Sequence, residues 1–126
     1  MNRNLIRHCL QIARDRLHNH PHYDRGFIHF SFLIVNNNVL EIGVNRRADV
    51  PIHYGYEEYS NLHSEVDAYR KSRGLIGNDS FEIFNVRLNK SGELRNSKPC
   101  PNCAYLLNQL GCERFFYTTD SQEVRK

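Results

Sequence analysis

The sequence predicts an α/β fold formed as one domain over residues 1–126, and three observations carry that reading. The 126-residue chain has room for one hydrophobic core, since a domain of this size buries roughly two-thirds of the surface its unfolded chain exposes. Its composition, 40% apolar and 25% charged, is globular, which excludes a disordered, collagenous or coiled-coil chain. Segments of helical periodicity alternate along the chain with short aromatic and β-branched runs.

The elements follow in order. Over residues 4–18, Leu5, Ile6, Cys9, Leu10, Ile12, Ala13 and Leu17 recur every three or four positions, with Arg3, Arg7, Arg14, Asp15 and Arg16 filling much of the rest. That is an amphipathic helix. His18-Asn19-His20-Pro21-His22 breaks it, and its three histidines are expected in an exposed loop rather than at a metal. Phe27 to Val35 reads as a buried strand. Asn36-Asn37-Asn38 supplies the positive φ of a tight turn, and Val39 to Asn45 returns as a second strand. Residues 46–60 form a long polar and aromatic connection. Ser60 or Asn61 then caps a helix reaching about Arg73, with Leu62, Val66 and Tyr69 on its inner face. Gly74 and Gly77 close it. Phe81 to Leu88 alternates as a strand, Gly92 marks a turn, and a helix over Asn102–Leu110 stops at Gly111. Arg114 to Thr118 is the last clear strand.

No apolar run approaches the ~20 residues that span a bilayer, and the N-terminal MNRNLIRHC lacks a signal peptide's apolar core. The chain is therefore expected to be soluble and cytoplasmic, with no membrane partner. Its net charge of +3 permits a phosphate-bearing partner without demanding one. Four cysteines in such a chain favour metal or catalytic roles over disulfides. Cys100 and Cys103 form a CxxC pair. Cys9, on the apolar face of the first helix, and Cys112, beyond the helix that begins at the CxxC pair, read as core residues.

Two segments carry chemistry: His63-Ser64-Glu65 and Pro99-Cys100-Pro101-Asn102-Cys103, each at a predicted helix N-terminus. Zinc prefers imidazole and thiolate. His63, Cys100 and Cys103 would be three ligands, leaving the fourth tetrahedral position open as in catalytic sites. Glu65 need not bind the metal. A carboxylate there can take a proton from the attacking water and hand it to a leaving group. The competing reading is a structural zinc site with Glu65 as a surface charge, and a single CxxC speaks against it.

At these residues the sequence resembles the cytidine deaminase-like superfamily, whose zinc signature is H-x-E…P-C-x-x-C. The resemblance spans about residues 27 to 118. It implies a three-layer α/β/α domain with a central mixed sheet of four to five strands and the two zinc-bearing helices on one face. It implies hydrolytic deamination, in which zinc hydroxide attacks the carbon bearing the exocyclic amine, Glu65 shuttles the proton and ammonia leaves. It also implies that the backbone at Ser64 and Pro99 contacts the base, although the superfamily more often has Ala where Ser64 stands. Asn45 matches an Asn that contacts sugar or ring, or else is a strand-ending turn residue. His53, Tyr54, Tyr56 and Tyr59 form a pocket wall or pack on the sheet, and Tyr117 and Asp120 are further candidates to approach the pocket.

The expected reaction is zinc-dependent deamination of a cytosine-containing nucleoside or nucleotide. Arg46, Arg47 or Lys98 would meet any phosphate. Arg70, Lys71 and Arg73 read as a solvated helix end. The eight residues Thr119–Lys126 suffice for a turn at Thr119–Gln122 and an antiparallel return through Val124. That ending resembles the division of free-nucleoside cytidine deaminases, which usually place Cys where His63 stands, so two patterns are mixed. Deamination of a base in RNA or DNA, the less favoured partner, and a catalytically silent binding module are the alternatives. A homo-oligomer is expected, because small domains of this kind complete their pockets with a neighbour's loops.

Overall fold

A computed structural model describes residues 1–26, 28–47, 61–77, 79–99 and 101–126. Helix α1 (Arg3–Asp15) starts where the Asn2 side chain accepts the Leu5 N–H at 2.8 Å, and it buries Cys9 and Ala13. It ends earlier than its periodicity predicts. Leu17–Asn19 tightens into a 3₁₀ turn that buries Leu17. The loop beyond corrects the expectation of three exposed histidines, since His20 and His22 are both buried. His20 earns its place by hydrogen bonding: its Nε2 donates to the His29 carbonyl at 2.8 Å, and its Nδ1 accepts the His22 N–H at 2.9 Å. Those two bonds fix a neutral tautomer.

Strands β1 (Ile28–Val35) and β2 (Asn38–Val44) form the expected hairpin. Asn36 and Asn37 have φ of 51° and 62°, the paired positive values of a two-residue turn whose twist matches the strands. Short strands β3 (Arg46–Arg47) and β4 (Asn61–Leu62) then pair antiparallel. Helix α2 (Ser64–Ile76) follows, with His63 at its N-cap. The expected cap at Ser60 or Asn61 is thus corrected: Asn61 and Leu62 are claimed by the ladder to β3, so Leu62 is not on the helix. Strand β5 (Phe81–Leu88), strand β6 (Leu94–Arg95), helix α3 (Pro101–Gln109), strand β7 (Cys112–Thr118) and strand β8 (Val124–Arg125) complete the order.

The main sheet runs β2-β1-β5-β7-β8, with β6 also paired to β5. Only β5 and β7, joined through α3, are parallel among its described pairs, so the sheet is mixed as expected. The antiparallel return through Val124 is β8. Alternation along β1 sends Ile28, Phe30, Phe32 and Ile34 to the α1 side, against Cys9, Ala13 and Leu17. Leu33 points the other way, into a cluster with Ala68 and Ile76 of α2 and Leu107 of α3. Three layers result. No helix among the described residues is long and apolar enough to cross a membrane.

One close approach sets α2 on the sheet. A Cβ added at Gly43 of β2 would overlap the Ser64 carbonyl oxygen and the Ala68 backbone nitrogen, and would lie 2.9 Å from Ala68 Cα. Backbone atoms cannot swing aside as a side-chain tip can. Gly43→Ala is expected to cost about 2–3 kcal/mol, an overpacking penalty, read as a lowered urea midpoint; an unchanged midpoint would contradict this packing.

Candidate functional site

The start of α2 is fastened from two sides. Asp67, 1% exposed, accepts the Val44 N–H at 2.9 Å and the Arg46 Nε–H at 3.2 Å, and it pairs with Lys71 Nζ at 2.9 Å. The Asp67 N–H in turn closes the first helical turn on the His63 carbonyl at 3.0 Å. Arg46, one of the residues expected to meet a phosphate, is paired with Asp67 while its side chain stays 43% exposed, and Lys71 contributes to the same cluster. Lys98 is exposed.

This scaffold brings His63 and Glu65 beside Cys103 of α3. His63 Nδ1 lies 2.9 Å from Cys103 Sγ. One ligand atom from each of His63, Glu65 and Cys103 falls within 4.8 Å of the others. A tetrahedral zinc with ordinary bond lengths holds its N and S ligands about 3.6 Å apart, so the pair is close enough to share one ion. Imidazole and thiol are the donors zinc selects. The donor set fits the metal. Cys100, the other half of the CxxC, lies outside the described residues, as do His53, Tyr54, Tyr56 and Tyr59.

Glu65 differs from Asp67 in a way that matters chemically. It is 6% exposed, yet among the described residues no cation pairs with it. Its Oε1 accepts from Ser64 Oγ at 3.0 Å, and the Ser31 hydroxyl oxygen lies 3.5 Å from it. A buried carboxylate is costly without charge compensation. Asp67 is paid for by Arg46 and Lys71, whereas Glu65 sits against a candidate metal position.

The thiols divide as expected. Burial pushes Cys9 and Cys112 up to about 12, so both stay protonated at neutral pH and act as small core hydrophobes. Neither joins the His63–Cys103 group.

The sheet surface beneath the site holds residues the sequence reading passed over. Ser31 of β1 stands opposite Asn85 of β5, and His29 opposite Arg87. Since Ser31 contacts Ser64, this row faces α2. The signal was present as polar residues at alternate positions of otherwise apolar strands. Burial above all, then Arg87, His20, His63 and His22, lowers His29 to about 4. Its folded value lies below its unfolded one, so the unfolded chain binds the extra proton between about pH 6.5 and 4, and stability is lost as pH falls through that window. The melting temperature of metal-free protein should drop from pH 7 to 4.5, and drop less in His29→Leu; equal slopes would refute the assignment.

Of the substrate-side candidates, Asn45 accepts the His29 N–H through Oδ1 at 3.0 Å, extending the hairpin past the end of β2. Ser64 is buried at the first position of α2, where its backbone N–H has no intrahelical acceptor. Pro99 is partly buried ahead of α3. Tyr117 is in register with Asn85. Asp120 accepts the Asn96 N–H at 2.9 Å.

No family model matches the sequence, and no curated protein matches it. Solved structures do. The dCMP deaminase from the cyanophage S-TIM5 superposes with a TM-score of 0.62 at 17% identity, over 94% of this chain and 86% of that one in its apo form. The same enzyme in complex with dCMP and dUMP gives 0.62 and 17% over 94% and 84%. Cytidine deaminase from Mycobacterium leprae gives 0.58 at 19%, over 92% and 87%. At such identities the likeness establishes architecture: the chain has the cytidine deaminase-like α/β/α fold.

Proposed function

We propose that this cytidine deaminase-like domain is a zinc-dependent hydrolytic deaminase of a cytosine-containing nucleoside or nucleotide. The observation that carries the reading is the buried Glu65 carboxylate, without a basic partner among the described residues, beside the imidazole of His63 and the thiol of Cys103. His63 and Cys103, with Cys100, would hold the metal. When bound, zinc supplies the Lewis acidity that makes water nucleophilic at neutral pH. Glu65 takes the water's proton on a carboxylate oxygen and delivers it to the departing amino group. The products are a uracil compound and ammonia. The Ser64 N–H, unclaimed by its helix, would hold the base edge, with Pro99, Tyr54 and Tyr56 as wall and Asn45 near the sugar.

Cytosine is favoured because the structural neighbours are named for dCMP and cytidine. The test is ammonia release by zinc-loaded protein from cytidine, deoxycytidine, their monophosphates, adenosine, guanine and a single-stranded oligonucleotide. Turnover of a free cytosine compound, with about one zinc per chain, supports the proposal. Turnover of the oligonucleotide alone replaces it with nucleic-acid deamination, and silence across the panel replaces it with a binding module. We further expect a homo-oligomer, read by light scattering.

A further inference from the structure

Beneath the first turn of α2 lies a chain of buried polar groups that crosses three strands, β1, β5 and β7. Ser31, Ser64, Asn85, Ser97 and Thr118 are each 3% exposed or less. Asn85 has its orientation set by its own amide: Nδ2 donates to the Ser97 carbonyl at 3.3 Å, which turns Oδ1 toward Ser31. Ser31 Oγ lies 2.6 Å from that oxygen and 2.7 Å from Ser64 Oγ. Ser64 Oγ lies 3.0 Å from Glu65 Oε1. Ser97 is itself fastened, with its Oγ donating to the Asn85 carbonyl at 2.7 Å and accepting the Thr118 N–H at 2.7 Å.

Buried polar groups of this kind are expensive unless they are satisfied together. A plain apolar core at positions 31 and 85 would hold the sheet as well. What the chain adds is a fixed point for a carboxylate. A glutamate side chain has three rotatable bonds, and in the first turn of a helix nothing local restrains its end. Both contacts to Glu65 fall on Oε1, which leaves the second oxygen for proton transfer.

We propose that Ser31 and Asn85 are positioning residues for Glu65, acting through Ser64; the consequence for turnover rests on the deaminase reading above. Ser31 is the node: its one hydroxyl proton goes to Asn85 Oδ1, so its oxygen accepts from Ser64, whose own proton is shared between Ser31 Oγ and Glu65 Oε1. Removing it leaves Asn85 Oδ1 without that donor and frees the Ser64–Glu65 pair to rotate.

The experiment has two arms. In metal-free protein, thermal melts of Ser31→Ala, Glu65→Ala and the double variant form a cycle that needs no activity. Ser31→Ala is expected to lower the melting temperature by about 4 °C, and by less than half of that when Glu65 is already alanine. Full additivity overturns the proposal. Should Ser31→Ala fail to fold, Ser64→Ala enters the same cycle with the same criterion. In zinc-loaded protein with the cytosine compound it turns over, Ser31→Ala is expected to lower kcat about 10- to 100-fold, the cost of a misplaced catalytic group. KM should stay within about twofold, and zinc content should not change. A kcat within about twofold of the parent, or equal rises in KM, also overturns it. If the parent protein releases no ammonia from any cytosine compound, the deaminase reading fails, and the melts still decide whether the chain engages Glu65.

Discussion

Glu65→Gln should reduce ammonia release by about 10³- to 10⁴-fold while leaving zinc bound. The amide is nearly the same size as the carboxylate and can still accept from Ser64 Oγ, which lies 3.0 Å from Oε1 in the parent. What it cannot do is take a proton from water and give it back. General acid–base catalysis by a positioned group is worth about 10²- to 10⁴-fold, and here one residue is asked to act in both directions. Metal analysis alongside single-turnover ammonia assays separates the two roles. Retained zinc with lost turnover identifies a proton carrier; activity that survives the substitution shows that the proton travels elsewhere. Loss of zinc would make Glu65 a ligand instead.

His63→Ala and Cys103→Ser should each drop zinc from about one ion per chain toward none, with activity falling below detection. The site has few donors to spare. His63 Nδ1 and Cys103 Sγ sit 2.9 Å apart on different helices, so losing either removes one arm of the clamp. Structural cysteine offers a matched control. Cys112→Ser changes a thiol held protonated near 12 by burial and should keep its zinc, at some expense in stability. Plasma emission on dialysed protein reads all three variants. A Cys112→Ser protein that loses zinc while Cys103→Ser retains it would reverse the ligand assignment.

Much of this architecture was legible where local chemistry decides conformation. Asn36 and Asn37 announce a two-residue hairpin because few other side chains accept positive φ twice in succession. The periodicity of α1, the aromatic and β-branched run of β1 and the alternation of β5 marked those elements, while the three layers were what the family resemblance implies. Pairing between remote, short segments was not legible. Asn61 looks like a helix cap, yet it pairs with Arg47, and that contact moves the start of α2 to His63. His20 and His22 look like surface residues around a proline. They are buried because His20 Nε2 finds the His29 carbonyl, a partner that only the folded sheet provides.

The site divides the same way. His63, Glu65 and Cys103 stood out because their residue types at that spacing suit one metal and one proton carrier. Ser31 and Asn85 did not, since a serine within an apolar strand announces nothing until its strand neighbour is known. Gly43 was equally silent. Its importance lies in the backbone of α2 pressing against it, a contact that has no side-chain signature.

The parallel pairing of β5 with β7 has a consequence for how the molecule assembles. The β1–β2 hairpin closes through two residues, a step of microseconds. The contact between His63 and Cys103 closes a separation of 40 residues, and chain entropy makes such long closures the dearer ones. An ion that tied these two helices would contribute its binding energy to folding itself, at a junction that the hairpin does not help to close. With the metal of the proposed reaction bound, the helices that would perform the chemistry would gain stability from it, while α1 and the hairpin, which hold none of its proposed ligands, would not draw on it directly.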